Sequence, residues 1–352
     1  MIAKGQFKVL GRPVGCDAPC FVIAEAGINH NGKLALALEL VDAAAAAGAD
    51  AVKFQTFKSD KVVSPIADKA EYQMLTTGEQ ESQLDMVRKL ELSFDDFRTI
   101  SRHCRDRGIL FLSTPFDDDS IGFLNDLDMP LFKVPSGEIT NFPYLARIAA
   151  TGRPVIMSTG MATLGEVDEA LRVLHQGGCD HIAILHCVSN YPAAFEDSNL
   201  RAMDTLRAAF GLPVGYSDHT LGIEVALAAV AREACILEKH FTLDKTMVGP
   251  DHTASLDPSE LAALIRGVRL IESALGHGRK EPCAAEVNTA QVARRSLFLG
   301  RDMAEEEEIT LPDLIALRPA GGISPAQSRM VIGRRTRRPL AAGTRLEWED
   351  IQ

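Results

Sequence analysis

The chain has no uninterrupted apolar run of about eighteen residues or more, so its sequence offers no membrane-spanning helix. Its opening stretch, MIAKGQFKVLGRPVG, lacks the basic-then-apolar order of a secretory signal, and the compartment expected from this is the cytoplasm. Cysteines are few, at positions 16, 20, 104, 179, 187, 235 and 283, and none form a CxxC pair. Most lie in or beside apolar segments and read as reduced, buried thiols. Cys16 and Cys20 alone are close enough in sequence to suggest a disulfide or half a metal site, and the usual zinc partners are missing. Positive charge is also short. A net charge of −11 argues against a broad nucleic-acid surface, and an anionic substrate would have to meet its positive charge locally.

What is present is an ordinary core-forming composition, 46% hydrophobic and 24% charged, which excludes global disorder. The chain has 352 residues. A (β/α)₈ barrel takes roughly 250, which leaves room for one small module. Eight apolar, β-rich runs recur, at Phe21–Gly27, Ala51–Thr56, Leu110–Phe116, Leu131–Gly137, Pro154–Gly160, Ile182–Val188, Pro213–His219 and Ile236–Thr242. Helical patterns stand between most of them, including Leu34–Ala47, Phe94–Arg107, Leu164–Gln176 and Leu221–Arg232. Alternation of this kind means a parallel sheet. Eight near-continuous hydrophobic strands suit a closed α/β barrel of the (β/α)₈ TIM type, although an open doubly wound sheet would read much the same.

Local signals punctuate this order. Ser93 reads as an N-cap ahead of Asp95 and Asp96, Gly108 follows the basic end of the same helix, and Gly211 closes a later one. The connection Lys58–Leu92 is far longer than a usual βα loop and is expected to be a lid or substrate loop over the barrel mouth. A last barrel helix is expected over Pro258–Leu275, ending a barrel domain at 1–275. A linker at 276–290 and a small domain of short strands and turns at 291–352 follow. In that domain Glu305–Glu308 reads as a solvated face and the arginines at 334, 335, 337 and 338 as surface or subunit contacts.

In a parallel barrel the chemistry belongs at the carboxyl ends of the strands. Those ends carry Glu25 with Asn29-His30-Asn31, Lys53 and Gln55, Ser113-Thr114, and Lys133 with Ser136-Gly137-Glu138. They continue with Ser158-Thr159, His186 with Ser189-Asn190-Tyr191, Ser217 and His219, and Glu238 and His240. Side chains alternate along a strand, so Glu238 and His240 share a face, as do Ser217 and His219. Two imidazoles at neighbouring strand ends can share a divalent metal. A lysine inside an apolar strand is costly unless an anion or carboxylate answers it. Lys53 and Lys133 therefore read as an anion site, the alternative being internal pairs with Glu25 or Glu138. The set describes a metal-assisted reaction between a phosphorylated or carboxylated molecule and a polyol. A metal-dependent aldolase or sugar isomerase, with Lys53 as a Schiff-base nucleophile in the aldolase case, and a non-catalytic carbohydrate-binding barrel remain open on these residues alone.

Taken in order, the stretches Phe21–Gly32, Val52–Gln55, Leu112–Phe116, Lys133–Glu138, Ser158–Met161, Gly215–Thr220 and Leu237–Thr242 resemble the sialic acid synthase family. The likeness runs through the tail, which is similar to the antifreeze-like (SAF) domain. It implies a transferase that condenses phosphoenolpyruvate with N-acetylmannosamine or a 6-deoxy relative to a nine-carbon 2-keto acid, releasing phosphate. It implies a domain-swapped homodimer and a divalent metal on His219 and His240, manganese above magnesium or cobalt. It assigns Lys53, Lys133, Ser136 and Ser217 to phosphoenolpyruvate, and Thr114 and Ser189 are counted with the substrate-binding residues. Gln55, Glu138, Tyr191 and Asp251 fall at the amino sugar, Glu25 and Glu138 among the catalytic groups, and Arg318 at the sugar site of the partner subunit. The chain departs from the family pattern at His186-Cys187-Val188-Ser189-Asn190-Tyr191-Pro192, where an asparagine phosphate contact is replaced. The lid segment Thr77–Leu84 also lacks a sugar-binding asparagine and more closely resembles the legionaminic acid branch.

Overall fold

A computed structural model describes residues 6–15, 18–70, 73–74, 77 and 81–352. The chain divides into two compact units, Met1–Gly276 and His277–Gln352. The first begins with a hairpin, β1 (Gln6–Val9) and β2 (Arg12–Gly15), followed by β3 (Phe21–Gly27), β4 (Ala51–Thr56), β5 (Leu110–Pro115), β6 (Phe132–Val134), β7 (Val155–Ser158), β8 (Ile182–Cys187), β9 (Val214–Asp218) and β10 (Ile236–His240). Strands β3 to β10 form one sheet in the order β5-β4-β3-β10-β9-β8-β7-β6, every ladder parallel. Its two edges, β5 and β6, lie side by side, so the sheet rolls into a nearly closed (β/α)₈ barrel. The open-sheet alternative is removed by this closure.

Helices cover the outside at Leu34–Ala47, Phe94–Arg107, Leu164–Gln176 and Pro258–Leu275, the spans that apolar periodicity predicts. Ser93 caps its helix in a reciprocal box with Asp96, and Gly108 ends it at φ 71°, a left-handed conformation that costs a glycine little. The expected helix Leu221–Arg232 is shorter, at Glu224–Ala231. Strand β6 is also shorter than its apolar run, because Pro135 has no N–H to give the ladder and Ser136–Glu138 turns away as a 3₁₀ turn. The expected loop Lys58–Leu92 contains helices at Ser59–Val62 and Gln83–Leu90, the second capped by Ser82.

The β1–β2 hairpin lies across the amino ends of the barrel strands. Phe7 stacks on His181 just before β8, Arg12 pairs with Asp50 just before β4, and its guanidinium stands 5.2 Å from the ring of Phe21 at the start of β3. The hairpin thus plugs the end of the barrel opposite the expected chemistry.

In the second unit β11 (Ser296–Leu299) and β12 (Leu314–Leu317) pair antiparallel over a small core that includes Leu299, Ile309, Val331 and Leu346. A helix at Glu286–Ala293 occupies the end of the expected linker. The basic run serves this unit's own fold, with Arg335 donating to the Glu306 carbonyl and Arg338 paired with Asp350. Cys20, Cys104, Cys179, Cys187 and Cys235 are free and buried, and Cys283 is free and exposed; Cys16, and with it the proposed Cys16–Cys20 pair, lies outside the described residues. Among the described residues no helix is long and apolar enough to cross a membrane.

Candidate active site

Strand alternation sends Ser217, His219, Glu238 and His240 to the barrel interior and leaves Asp218 and Lys239 behind the sheet. At the carboxyl ends of the strands the interior opens into a cavity of about 370 Å³. Its lining includes Glu25, Lys53, Gln55, Thr114, Lys133, Ser136, Ser189, Tyr191, Ser217, His219, His240 and Asp251. Every residue that the family resemblance assigns to the site is therefore in this wall except Glu138 and Arg318, whereas the strand-end residues Asn29, His30, Asn31, Ser113, Thr159, His186 and Asn190 are not.

Lys53 and Lys133 are each only 3% exposed. The Lys53 ammonium lies 2.6 Å from Glu25 Oε2, 3.6 Å from Glu238 Oε2, and donates to Thr114 Oγ1 at 3.0 Å. Lys133 donates to Ser158 Oγ at 2.6 Å and to the Val134 carbonyl at 3.3 Å, with Glu238 Oε1 at 3.7 Å. Glu238 thus stands between the two lysines and also accepts from Ser217 at 3.0 Å. Burial opposes the charge on Lys53, but Glu238 and Glu25 outweigh it and hold the ammonium above its ordinary range. Lys53 is thus held between two carboxylates and a hydroxyl, the surroundings of an ammonium rather than of a free amine nucleophile. At Lys133 burial wins over Glu238 and lowers the pKa. Burial raises Glu25 despite Lys53, whereas Glu238 is pulled down because Lys133 and Lys53 together overcome its burial. The internal pair weighed for Lys53 is present, and the carboxylate shared with Lys133 is Glu238 rather than Glu138.

The His219 and His240 rings are 5.5 Å apart, and Tyr191 packs 4.2 Å from His219 and edge-on to His240 at 5.6 Å. His219 Nδ1 lies 2.6 Å from the Val188 carbonyl. A carbonyl only accepts, so Nδ1 carries the proton and Nε2 keeps its lone pair facing the cavity. His240 Nδ1 is buried without a hydrogen-bond partner, 4.0 Å from Asp251 Oδ2. Burial lowers both imidazole pKa values, at His240 with help from His219, which favours the neutral form of both rings. Two neutral imidazoles, one fixed through its far nitrogen by a carbonyl, fit a divalent transition metal that keeps positions open. Among the described residues no group of three or more His, Cys, Asp or Glu is arranged to hold a metal.

A match to the NeuB family spans residues 40–280. The chain belongs to the NeuB family. It is 49% identical to the N,N'-diacetyllegionaminic acid synthase of Legionella pneumophila over 97% of both chains. It is 41% identical to the human N-acetylneuraminate-9-phosphate synthase over 79% of this chain and 78% of that one. Among solved structures, the N-acetylneuraminic acid synthetase of Leptospira borgpetersenii, crystallised with citrate, superposes with a TM-score of 0.72 at 36% identity, covering 81% of this chain and 95% of that one.

In this NeuB-family barrel, Glu138 follows the lining residue Gly137, is half-buried, and accepts from Asn141 at 2.6 Å. Arg318 is exposed on the second unit. Ser136 Oγ accepts from Gly160 N at 3.0 Å, and a Cβ on Gly160 would stand 2.2 Å from Ser189 Oγ, so glycine lets both serines crowd this wall. Reasoning from the sequence gave no role to Glu238, although its place two residues before His240 on the same face was the available signal. It also named no contacting residue of the lid, from which Val62, Val63, Gln73, Gln83, Met86 and Val87 line the cavity. Residues 78–80 of the expected sugar-binding lid segment lie outside the described residues.

Proposed function

We propose that this NeuB-family chain condenses phosphoenolpyruvate with an N-acylated mannosamine-type sugar, giving a nine-carbon 2-keto acid and phosphate. The observation that carries the reading is the pair Lys53 and Lys133, buried in the wall of a cavity that His219 and His240 also line. Names of the relatives from Legionella and human point to the same class of product. A reaction that consumes phosphoenolpyruvate also fits the cytoplasmic compartment expected from the sequence.

In this reading Lys53 and Lys133 meet the anion, and Thr114, Ser136, Ser189 and Ser217 supply hydroxyls to it. Gln55, Glu138, Tyr191 and Asp251 receive the amino sugar. His219 and His240 hold a divalent metal, manganese or else magnesium or cobalt. When bound, that metal supplies Lewis-acid polarisation of the sugar carbonyl. C3 of phosphoenolpyruvate bonds to the aldehyde carbon, whose oxygen takes up a proton; water adds at C2, and phosphate leaves with cleavage of its C–O bond. Glu25, raised by burial and steadied by Gln55 at 3.2 Å, is the carboxyl that exchanges a proton with the reacting atoms. The test is phosphate release from phosphoenolpyruvate with a panel of N-acylated mannosamines and 2,4-diacetamido-2,4,6-trideoxymannose, with and without manganese. Turnover of at least one sugar is expected, and failure of all of them overturns the reading.

The working unit in this reading is a domain-swapped homodimer in which Arg318 serves the partner subunit's sugar site. Mixing an Arg318→Ala chain with a His240→Ala chain should restore activity through one intact site. No recovery after confirmed subunit exchange would reject the swap.

A further inference from the structure

The sequence Asn29-His30-Asn31 stands at the barrel mouth, yet none of its residues lines the cavity. Its hydrogen bonds run instead to the loop after β10, which carries Asp251. Asn29 Nδ2 donates to the Phe241 carbonyl at 2.8 Å and to Ser255 Oγ at 3.0 Å, and the Ser255 hydroxyl donates to the Asp251 carbonyl at 2.6 Å. Asn31 Nδ2 donates to the Val248 carbonyl at 3.0 Å, which turns Asn31 Oδ1 toward His252 Nε2 at 3.1 Å. That oxygen only accepts, so His252 carries its proton on Nε2, and Nδ1 accepts from the Thr242 hydroxyl at 2.7 Å. The links run both ways: Thr242 and His252 donate toward the loop after β3, and the Asn29 and Asn31 amides donate back to the end of β10 and the loop that follows it.

Packing shows how closely the two loops are set. A Cβ on Gly249 would stand 2.6 Å from His252 Cδ2 and 2.9 Å from Asn31 Oδ1. A Cβ on Gly32 would stand 2.2 Å from the Lys89 carbonyl, so the same loop backs the helix Gln83–Leu90, whose Met86 and Val87 line the cavity. The Asp251 carboxylate itself accepts no hydrogen bond among the described residues, and His240 Nδ1 stands 4.0 Å from its Oδ2. Its orientation therefore comes from its backbone, and the backbone is held by this network.

We infer that Asn31 and His252 are positioning residues: through the loop 243–256 they set Asp251 in the cavity wall, and through Gly32 the Asn31 loop ties that wall to the lid helix. The inference rests on the reading of Asp251 as a sugar contact. Neither residue reaches the cavity, so substituting either changes the site only by moving the loop.

The experiment compares Asn31→Ala, His252→Ala, His252→Gln and Asp251→Asn in the full chain. It measures KM for the amino sugar, Kd for phosphoenolpyruvate by calorimetry, and melting temperature. Asn31→Ala and His252→Ala should raise the sugar KM by about tenfold to a hundredfold, the effect of a small misplacement of a substrate contact, while phosphoenolpyruvate affinity stays unchanged. His252→Gln keeps a donor at the Nε2 position and should recover most of the loss. Asn31→Ala combined with Asp251→Asn should cost little more than Asp251→Asn alone, because both act on one contact. Half-buried Asn31 keeps the test open if His252→Ala fails to fold. An unchanged sugar KM in Asn31→Ala, additive losses in the double variant, or a parallel decline of both ligands with melting temperature would overturn the inference. An Asp251→Asn chain with unchanged sugar KM would instead reject the reading of Asp251 on which it rests.

Discussion

Strand β10 places two kinds of buried charge one residue apart, and they behave oppositely. Behind the sheet, Lys239 is fully buried, pairs with Asp218 at 2.7 Å and donates to the Thr220 carbonyl. The other oxygen of Asp218 accepts from Thr220 N at 2.9 Å and from the Thr220 hydroxyl at 2.8 Å. That pair closes on itself. Inside the barrel, Glu25 Oε2 and Glu238 Oε2 have no aligned hydrogen-bond donor, although Lys53 lies 2.6 Å from the former. Lys133 is met at short range only by a hydroxyl and a carbonyl. A buried ion pair whose valences are filled belongs to the fold, and buried charges left partly unanswered around a cavity are available to a ligand.

The largest expected effect breaks the closed pair. Lys239→Met leaves the Asp218 charge buried without its cation and should lower unfolding free energy in urea by about 3–5 kcal/mol, with phosphoenolpyruvate affinity of the folded protein unchanged. Joint replacement, Lys239→Met with Asp218→Leu, should recover most of that stability. Loss of phosphoenolpyruvate binding at unchanged stability would mean that the outer pair belongs to the site.

Next come the open charges. Lys53→Ala and Lys133→Ala should each weaken phosphoenolpyruvate binding, read by calorimetry, by about 2–5 kcal/mol. Arginine at either position should not restore it, because a planar fork does not replace a point charge in a closed wall. Wild-type affinity in both alanine variants would make these lysines structural too.

The smallest effect concerns a group that avoids the problem by staying neutral. Burial lowers His30 from 6.5 to about 4. Between those values the unfolded chain takes a proton that the folded chain refuses, so stability falls as pH drops from about 6.5 toward 4, by up to about 1.4 kcal/mol per pH unit. His30→Gln should flatten that limb of the urea midpoint against pH. An unchanged slope would show that His30 is protonated in the fold.

Much of this arrangement was legible in the sequence, for local reasons. Apolar runs marked β3 and β4 to the residue, because strands buried on both faces are continuous in hydrophobicity. Lys53 and Lys133 stood out because charge inside such a run needs an answer. Their partner did not. Lys53 on β4 and Lys133 on β6 meet Glu238 across the barrel interior from strands that do not adjoin β10, and alternation gives a face but not which distant faces converge. Glu138, nearer to Lys133 in sequence, was the natural guess, and the 3₁₀ turn after Pro135 carries it past the cavity-lining Gly137. The lid was legible as a long insertion, while its helices depend on short amphipathic segments whose apolar face is defined only by the barrel mouth beneath it.

The hairpin under the barrel decides how the cavity is used. With β1 and β2 across the amino ends, the interior is a cup with one rim, and the lid residues Val62, Val63 and Met86 stand at that rim. In the proposed reaction, both substrates and the released phosphate share that one opening.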